Sequence, residues 1–240
     1  KALAEYLAET KTLKTLRIRE GQNGDLIVKA LAEGLKENST LKNLDLQRNQ
    51  IGAEGAKALA EGLKENSTLK NLNLEWNKIS PEGAKALAEG PKANSTLKNL
   101  DLQQNEIGDE GVKALAEGLK ANSTLKNLYL AANEICNEGA KALAEALEQN
   151  SALTDLDLED NRYIGSETLE AIKHLLQSRK MVQVPKSTQE DQAVEEGAQS
   201  SPETFHLAKP RIKALAEALQ QNSSPTTLNL EYNDIGDEGA

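Results

Sequence analysis

Few side chains in this 240-residue chain are of the types that perform catalysis. There are two histidines, His174 and His206, and one cysteine, Cys136. Neither histidine has a nucleophile or a repeated carboxylate near it in the sequence, and acid–base or nucleophilic catalysis needs such neighbours. We therefore expect no catalytic residues, no enzymatic activity, no metal site and no cofactor. Both histidines are interpreted as surface residues.

A single cysteine can form neither an intrachain disulfide nor a cysteine-based zinc site. Cys136 stands where an earlier, similar segment has Gly52, so we interpret it as a tolerated small residue rather than as a reactive thiol. Asn-Ser-Thr or Asn-Ser-Ser, which matches the glycosylation acceptor, occurs at Asn38, Asn66, Asn94, Asn122 and Asn222. Each follows a predicted helix end, where asparagine is favoured in a left-handed C-cap, so we predict a structural role for it.

The charge balance excludes two classes of partner. The chain has 38 acidic and 28 basic residues, a formal net charge of -10. Such a surface repels phosphate groups, so neither nucleic acid nor an anionic membrane is expected as a partner. No apolar run approaches the ~20 residues of a membrane span. The sequence opens without a signal-peptide pattern, and we expect a cytoplasmic location.

An internal repeat of 28 residues dominates the sequence. The segment STLKNLDLQRNQIGAEGAKALAEGLKEN, which begins at Ser39, returns from Ser67, Ser95 and Ser123, and in diverged form from Ser151. The leading leucines keep this spacing throughout: Leu13, Leu41, Leu69, Leu97, Leu125 and Leu153. Self-similarity at a fixed period is typical of a solenoid, in which each unit buries its apolar face against its neighbours.

Each repeat combines two hydrophobic periods. In LKNLDL, Leu44 and Leu46 alternate with polar residues, which predicts a strand. In EGAKALAEGLK, the apolar residues Ala56, Leu59, Ala60 and Leu63 fall on one face of a helix. We expect Ala56, Ala58 and Ala60, together with Gly55 and its copies, to keep the helix close to the sheet. The sequence therefore predicts an α/β solenoid with parallel strands on the concave face and helices on the convex face.

A column of asparagines follows the predicted strands. Its members are Asn49, Asn77, Asn105, Asn133, Asn161 and Asn233. Because an amide both donates and accepts hydrogen bonds, we predict a buried ladder that satisfies the backbone of the turns. The repeat that begins at Leu13 has Gly21 in place of this asparagine, so we expect the ladder to be interrupted there and the loop to protrude or move.

The motif LxxLxLxxNxIGxEGAxALAxxL at a 28-residue period resembles the ribonuclease-inhibitor-like leucine-rich repeats. Such repeats occur in NOD-like receptors, in Ran GTPase-activating proteins and in many bacterial and protist proteins. The resemblance covers nearly the whole chain except about residues 181–210. It implies a horseshoe-shaped solenoid that binds proteins. The Ran-type activity would need polar or arginine residues from loops at one edge to complete a GTPase site, and Arg48 is the only candidate in a regular turn.

The order of the repeats along the chain fits a circular permutation. Residues 1–12 form a helix pattern that lacks a preceding turn, and residues 225–240 form a strand and turn that lack a following helix. Joining Ala240 to Lys1 restores a complete repeat in register. We infer that the natural chain begins at Met181, the only methionine. A fragment of a longer protein, with a second array after a linker, is the alternative.

The predicted organisation follows from this order. Residues 1–180 would form the array, 181–210 an acidic linker or natural N-terminal leader, and 211–240 the first helix, strand and turn. Leu228 and Leu230 should then neighbour Leu16 and Ile18, either in their own chain or in the next molecule. The second arrangement would allow head-to-tail self-association through residues 211–240.

The predicted binding residues are outward-facing positions that vary while the repeat frame stays fixed. Exposed Trp, Tyr and Arg side chains are the usual anchors of an interface. The candidate partner-binding residues are Arg17, Arg48, Trp76, Tyr129, Asp157 and Tyr232. We therefore expect a non-catalytic scaffold that binds a protein partner on its concave face. Two alternatives remain open: a GTPase-activating protein of the Ran type, and an engineered or consensus-like scaffold without a natural ligand.

Overall fold

The computed structural model describes residues 2–182 and 225–230, in which helices alternate with short strands. The helices are α1 (Ala2–Glu9), α2 (Gly24–Glu37), α3 (Ala53–Glu65), α4 (Ser80–Ala93), α5 (Gly108–Ala121), α6 (Asn137–Gln149) and α7 (Ser166–Val182). The strands are β1 (Thr15–Arg17), β2 (Asn43–Asp45), β3 (Asn71–Asn73), β4 (Asn99–Asp101), β5 (Asn127–Tyr129), β6 (Asp155–Asp157) and β7 (Thr227–Asn229).

The strands form one parallel sheet in the order β6-β5-β4-β3-β2-β1-β7. The central leucines of neighbouring strands lie opposite each other, as Leu16, Leu44 and Leu72 do. These leucines point inward and are buried against the helices, which pack side by side in chain order. The predicted α/β leucine-rich solenoid is confirmed, and its core consists mainly of leucine, isoleucine and alanine.

Strand β7 pairs with β1, as the sequence analysis expected. Leu228 lies opposite Leu16, and the Leu230 N–H donates to the carbonyl oxygen of Arg17 at 2.7 Å. Both leucines are fully buried, and the pairing forms within one chain. The start at Met181 and the domain boundaries stay predictions, because residues 183–224 and 231–240 lie outside the described residues.

The repeated glycines bring neighbouring helices together. A methyl group placed at Gly55 would lie 2.5 Å from Oδ1 and 3.1 Å from Cα of Asp25, on α2. At Gly62 it would lie 2.9 Å from the Ala32 carbonyl oxygen, also on α2. The expectation that Gly55 and its copies hold the helix close to the sheet is therefore wrong, because the close approach is between α2 and α3.

The turn asparagines from Asn49 to Asn161 form the predicted buried ladder, and Asn233 lies outside the described residues. Asn77 accepts the N–H groups of Asn49 and Ile51 at Oδ1, at 3.0 and 2.9 Å. Its Nδ2 donates to the carbonyl oxygens of Leu46 and Leu74 at 3.0 and 2.9 Å. The ladder continues to Gly21, which is buried and donates its N–H to Oδ1 of Asn49 at 3.0 Å. The expected protrusion is therefore wrong at this residue.

The asparagines that follow the helices form a second buried ladder. Oδ1 of Asn38 accepts the N–H groups of Thr40 and Leu41, and its Nδ2 donates to the Leu7 carbonyl oxygen at 2.6 Å. The structural role is confirmed for Asn38, Asn66, Asn94 and Asn122, whose burial is incompatible with a glycan in the folded chain. The left-handed cap is wrong, since Asn38 has φ -74° and ψ 129°. Asn222 lies outside the described residues.

Pro91 lies in α4 at a position that other helices of the array fill with leucine. Its counterparts Leu35, Leu63 and Leu119 are buried, whereas a proline removes an N–H and clashes one turn back. Helix α4 nevertheless continues to Ala93. We expect Pro91→Leu to raise the free energy of unfolding by ~2 kcal/mol or more, measured by urea denaturation.

The same helix supplies the control for this substitution. Pro81 lies in the first turn of α4, where proline is favoured because its missing N–H would have no helical partner. Pro81→Ala should leave the midpoint of unfolding nearly unchanged. A Pro91→Leu variant no more stable than the parent would show that the leucine site cannot be refilled.

Candidate functional site

The side of the sheet opposite the helices displays three rows of side chains, which we call the sheet face. Alternate residues of a strand point outward, and equivalent positions of neighbouring strands form each row. The first row is Thr15, Asn43, Asn71, Asn99, Asn127, Asp155 and Thr227; the second is Arg17, Asp45, Asn73, Asp101, Tyr129, Asp157 and Asn229; the third is Arg19, Gln47, Glu75, Gln103, Ala131 and Glu159.

The first row is a hydrogen-bonded ladder of side-chain amides. Asn127 donates to Asn99, Asn99 to Asn71, and Asn71 to Asn43, whose Nδ2 reaches Oγ1 of Thr15 at 3.0 Å. Lys-Asn recurs at positions 42–43, 70–71, 98–99 and 126–127, a regularity that by itself suits an array without selected binding residues. The hydrogen-bonded ladder explains why the asparagines of the first row repeat. Residues that contact a partner are therefore sought in the second and third rows.

A further row lies just beyond the strand ends, and we call it the turn edge. It consists of Glu20, Arg48, Trp76, Gln104, Ala132 and Asp160, all with φ between 52° and 62°. A left-handed backbone costs an L-residue ~1–2 kcal/mol, and glycine would avoid this cost. The backbone alone therefore gives no reason for arginine and tryptophan at this edge.

Arg48 and Trp76 contact each other directly. The Arg48 guanidinium carbon lies 5.3 Å from the centroid of the Trp76 ring, which is a cation–π contact. Arg48 Nη1 also lies 3.2 Å from Oε1 of Glu20. The Trp76 side chain keeps 47% of its surface exposed. The structure thus holds an exposed indole in place by its cationic neighbour.

An open pocket of about 490 Å³ lies beside Trp76. Its walls are Arg48, Gln50, Trp76, Asn77, Lys78, Gln104, Glu106, Ala132 and Glu134. The cationic groups of Arg48 and Lys78 come from earlier repeats than the carboxylates of Glu106 and Glu134. The pocket is therefore polarised along the array, and the small side chain of Ala132 leaves room next to the indole.

Tyr129 lies between two carboxylates on the sheet face. Asp101 pairs with it in register from β4, and Asp157 from β6. The pKa of Asp101 is raised by burial and further by the negative charges of Asp157 and Asp45. The pKa of Glu75 is raised by burial and by Asp101. Burial and the surrounding carboxylates also raise the pKa of Tyr129.

The structure separates the predicted binding residues into two pairs. Arg48 and Trp76 meet at the turn edge, and Tyr129 and Asp157 meet on neighbouring strands. Arg17 lies on β1, four strand spacings or ~19 Å from Tyr129. Tyr129 is partly buried rather than projecting into water as expected. Tyr232 lies outside the described residues.

Sequence reasoning places Asp101 and Arg19 at outward strand positions but did not select them as candidate binding residues, and it missed Glu75. The signal was available, because each occupies an outward position of its repeat. Arg19 pairs with Asp45 through Nη2 and Oδ2. This pair neutralises Asp45, and Arg17 leaves the β1–β2 end of the face net positive, whereas the charged residues of the β4–β6 end are all carboxylates.

Cys136 takes part in a hydrogen bond that recurs in another repeat, which indicates a structural role. Cys136 is the N-cap residue of α6, and its N–H donates to Oδ1 of Asp109 at 2.8 Å. Gly52 donates to Asp25 in the same way at 2.7 Å.

Among residues 2–182 and 225–230, no cluster of three or more histidine, cysteine or acidic side chains could hold a metal ion. No helix in the described part of the chain combines the length and apolarity needed to cross a bilayer. His206 lies outside the described residues.

Comparison with known proteins identifies the repeats. A model of the leucine-rich repeat matches residues 37–60, 65–88, 93–116, 121–144, 149–173 and 221–240. No curated protein matches the chain significantly. Solved structures with a similar fold include leiomodin-1 actin-binding site 2, with 21% identity and a TM-score of 0.50 over 74% of this chain and 87% of that one. Another is the tropomodulin C-terminal domain of Caenorhabditis elegans, with 16% identity and a TM-score of 0.50 over 74% and 91%.

We predict that the same change, alanine to glycine, has opposite effects on stability at the left-handed turn edge and inside a helix. Ala132 has φ 52°, so Ala132→Gly should stabilise the protein by up to ~1 kcal/mol. Ala144→Gly, inside α6, should destabilise it by ~1 kcal/mol because glycine is a poor helix former. Urea denaturation of both variants measures the difference, and a loss of stability at both positions would contradict the assigned strain.

Because the pKa of Asp101 is raised, we predict that removing its charge stabilises the protein at neutral pH but not at low pH. Its carboxyl binds a proton more readily in the folded chain, so its contribution favours folding at low pH and is lost as pH rises through the folded pKa. Asp101→Asn keeps the acceptor for the Gln103 N–H and should raise the melting temperature at pH 7. The gain should vanish below pH ~3.9, where the carboxyl is protonated in both states. A lower melting temperature of the variant at pH 7 would contradict this sign.

Proposed function

The chain belongs to the leucine-rich repeat family, and we propose that it is a non-catalytic, cytoplasmic scaffold that binds a protein partner through the sheet face and the turn edge. The observation that carries this proposal is the setting of the Trp76 side chain. Its indole is exposed, stacked on Arg48 and beside an open pocket, on a backbone that would favour glycine.

Pre-organisation supports a binding role for this side chain. The backbone N–H of Trp76 donates to the Gln103 carbonyl oxygen at 3.0 Å, which fixes the main chain that carries the indole. Arg48, which stacks on the indole, is itself held by Glu20. Ordering a side chain on binding costs ~0.5–1.5 kcal/mol, so an indole already held in the free protein loses less. Trp, Tyr and Arg are also the residue types most enriched among interface hot spots.

The same contacts weigh against the alternatives. A Ran-type activator needs polar or arginine loop residues that are available to a GTPase, whereas the candidate Arg48 is engaged by Trp76 and Glu20. A consensus scaffold without a ligand would gain nothing from tryptophan in a left-handed turn. Leiomodin-1 resembles this chain in its fold alone, so the partner must be argued from the side chains of the sheet face.

Affinity capture with a matched pair of variants tests the proposal. Trp76→Ala/Tyr129→Ala removes the two aromatic groups that the described residues place on this surface, while Tyr163→Ala/Leu26→Ala removes two exposed apolar side chains elsewhere. A partner captured by the wild-type chain should bind the first variant ~30-fold or more weakly, which corresponds to one hot spot of ~2 kcal/mol. The control variant should bind as the wild type does.

Thermal unfolding of the wild-type chain and the two variants completes the test. Trp76 and Tyr129 are not fully buried, so the first variant should remain folded at the assay temperature. Partners that bind both variants with equal affinity would place the interface elsewhere and contradict the proposed function.

A further inference from the structure

The β4–β6 part of the sheet face combines an aromatic ring with a surplus of negative charge. We call the group Asp101, Tyr129, Asp155, Asp157 and Glu159 the acidic face. Neighbouring parallel strands lie ~4.8 Å apart, so Asp101 and Asp157 flank the Tyr129 ring on its two sides. Asp155 and Glu159 occupy the outward positions before and after Asp157 on the edge of the sheet.

The described residues leave this charge without a cationic partner. Within residues 2–182 and 225–230, the carboxylates of the acidic face form no salt bridge, whereas Asp45 on β2 is paired with Arg19. The arginines of the sheet face lie on β1 or just after it, three strand spacings or ~14 Å from β4, beyond the ~8 Å Debye length of physiological salt. Lys98 and Lys126 precede β4 and β5 and do not pair with these carboxylates.

The carboxylates are also oriented before any partner arrives. Oδ1 of Asp101 accepts the Gln103 N–H at 3.1 Å, and Oδ1 of Asp157 accepts the Glu159 N–H at 2.9 Å. Each aspartate is thus fixed by its own backbone two residues on. Burial and mutual repulsion already raise the pKa of Asp101, and a bound cation would relieve that repulsion.

On the basis of the proposed function, we propose that the partner binds with a basic segment, one arginine or lysine of which lies on Tyr129 between Asp101 and Asp157. A guanidinium group matches this arrangement because it stacks on an aromatic ring and donates to carboxylates in its plane. Charge complementarity selects the occupant, since acidic segments and phosphate groups are repelled by the same surface.

Selection from a phage-displayed library of random 12-residue peptides tests the chemistry of the partner. The immobilised wild-type chain is the target, and free Trp76→Ala/Tyr129→Ala variant is the competitor that removes binders of other surfaces. We expect the recovered peptides to carry a net positive charge with at least two arginines or lysines. Recovery of neutral or acidic peptides would overturn the inference and leave the proposed function intact. Recovery of no competitor-resistant peptide would contradict both.

Two variants with equal changes in net charge then locate the contact. Asp101→Asn/Asp157→Asn keeps the side-chain oxygens that accept the Gln103 and Glu159 N–H groups, and removes two charges from the acidic face. Glu61→Gln/Glu117→Gln removes two exposed charges from α3 and α5. A recovered basic peptide, measured by fluorescence anisotropy in 0.15 M salt, should bind the first variant at least tenfold more weakly and the second less than twofold. Equal weakening would show that only the overall charge attracts the peptide, and would overturn the inference.

Discussion

Each buried asparagine of the turn ladder completes hydrogen bonds of more than one repeat. The side chain of Asn77 accepts N–H groups of the preceding repeat and donates to carbonyl oxygens in that repeat and its own. The amide must therefore lie at the same height in every repeat. The chain reaches that position through a left-handed residue directly before it, as at Arg48 and Trp76. The ladder thereby fixes the backbone that presents the exposed indole.

The strands separate constant from variable positions. Their inward leucines and the outward asparagine ladder repeat almost without change, because each contacts its equivalents 28 residues away. A substitution at one of these positions would disturb two neighbours. The second and third rows of the sheet face make fewer such contacts, so their residues are free to differ. This freedom produces a net positive β1–β2 end and an acidic β4–β6 end on one sheet.

The two parts of the proposed binding surface have complementary roles. At the turn edge, Trp76 offers a held aromatic group beside a pocket, which suits an apolar anchor of the partner. On the sheet face, Tyr129 and its flanking carboxylates suit a cation and would steer a basic segment toward the sheet. The leiomodin-1 and tropomodulin domains share the fold at 21% and 16% identity, while the display of these particular side chains is argued from this chain alone.

The 28-residue period was sufficient to predict the helices, the parallel strands, the leucine core and the buried turn asparagines. It also placed β7 beside β1, since Leu228 keeps the register of Leu16 although 212 positions separate them. A period succeeds here because every repeat must bury the same face against an equivalent neighbour. These features follow from the pattern within one repeat and its regular recurrence.

Which particular side chains of neighbouring repeats contact each other was decided only by the tertiary structure. The sequence suggested that Gly55 served helix–sheet packing, yet its missing side chain makes room for α2. It assigned Asn38 a left-handed cap, yet this residue is extended so that its amide reaches Leu7. The stacking of Arg48 on Trp76 and the placement of Tyr129 between two aspartates likewise join residues 28 positions apart. The repeat pattern specifies which positions recur, but the twist and spacing of neighbouring repeats determine which side chains meet.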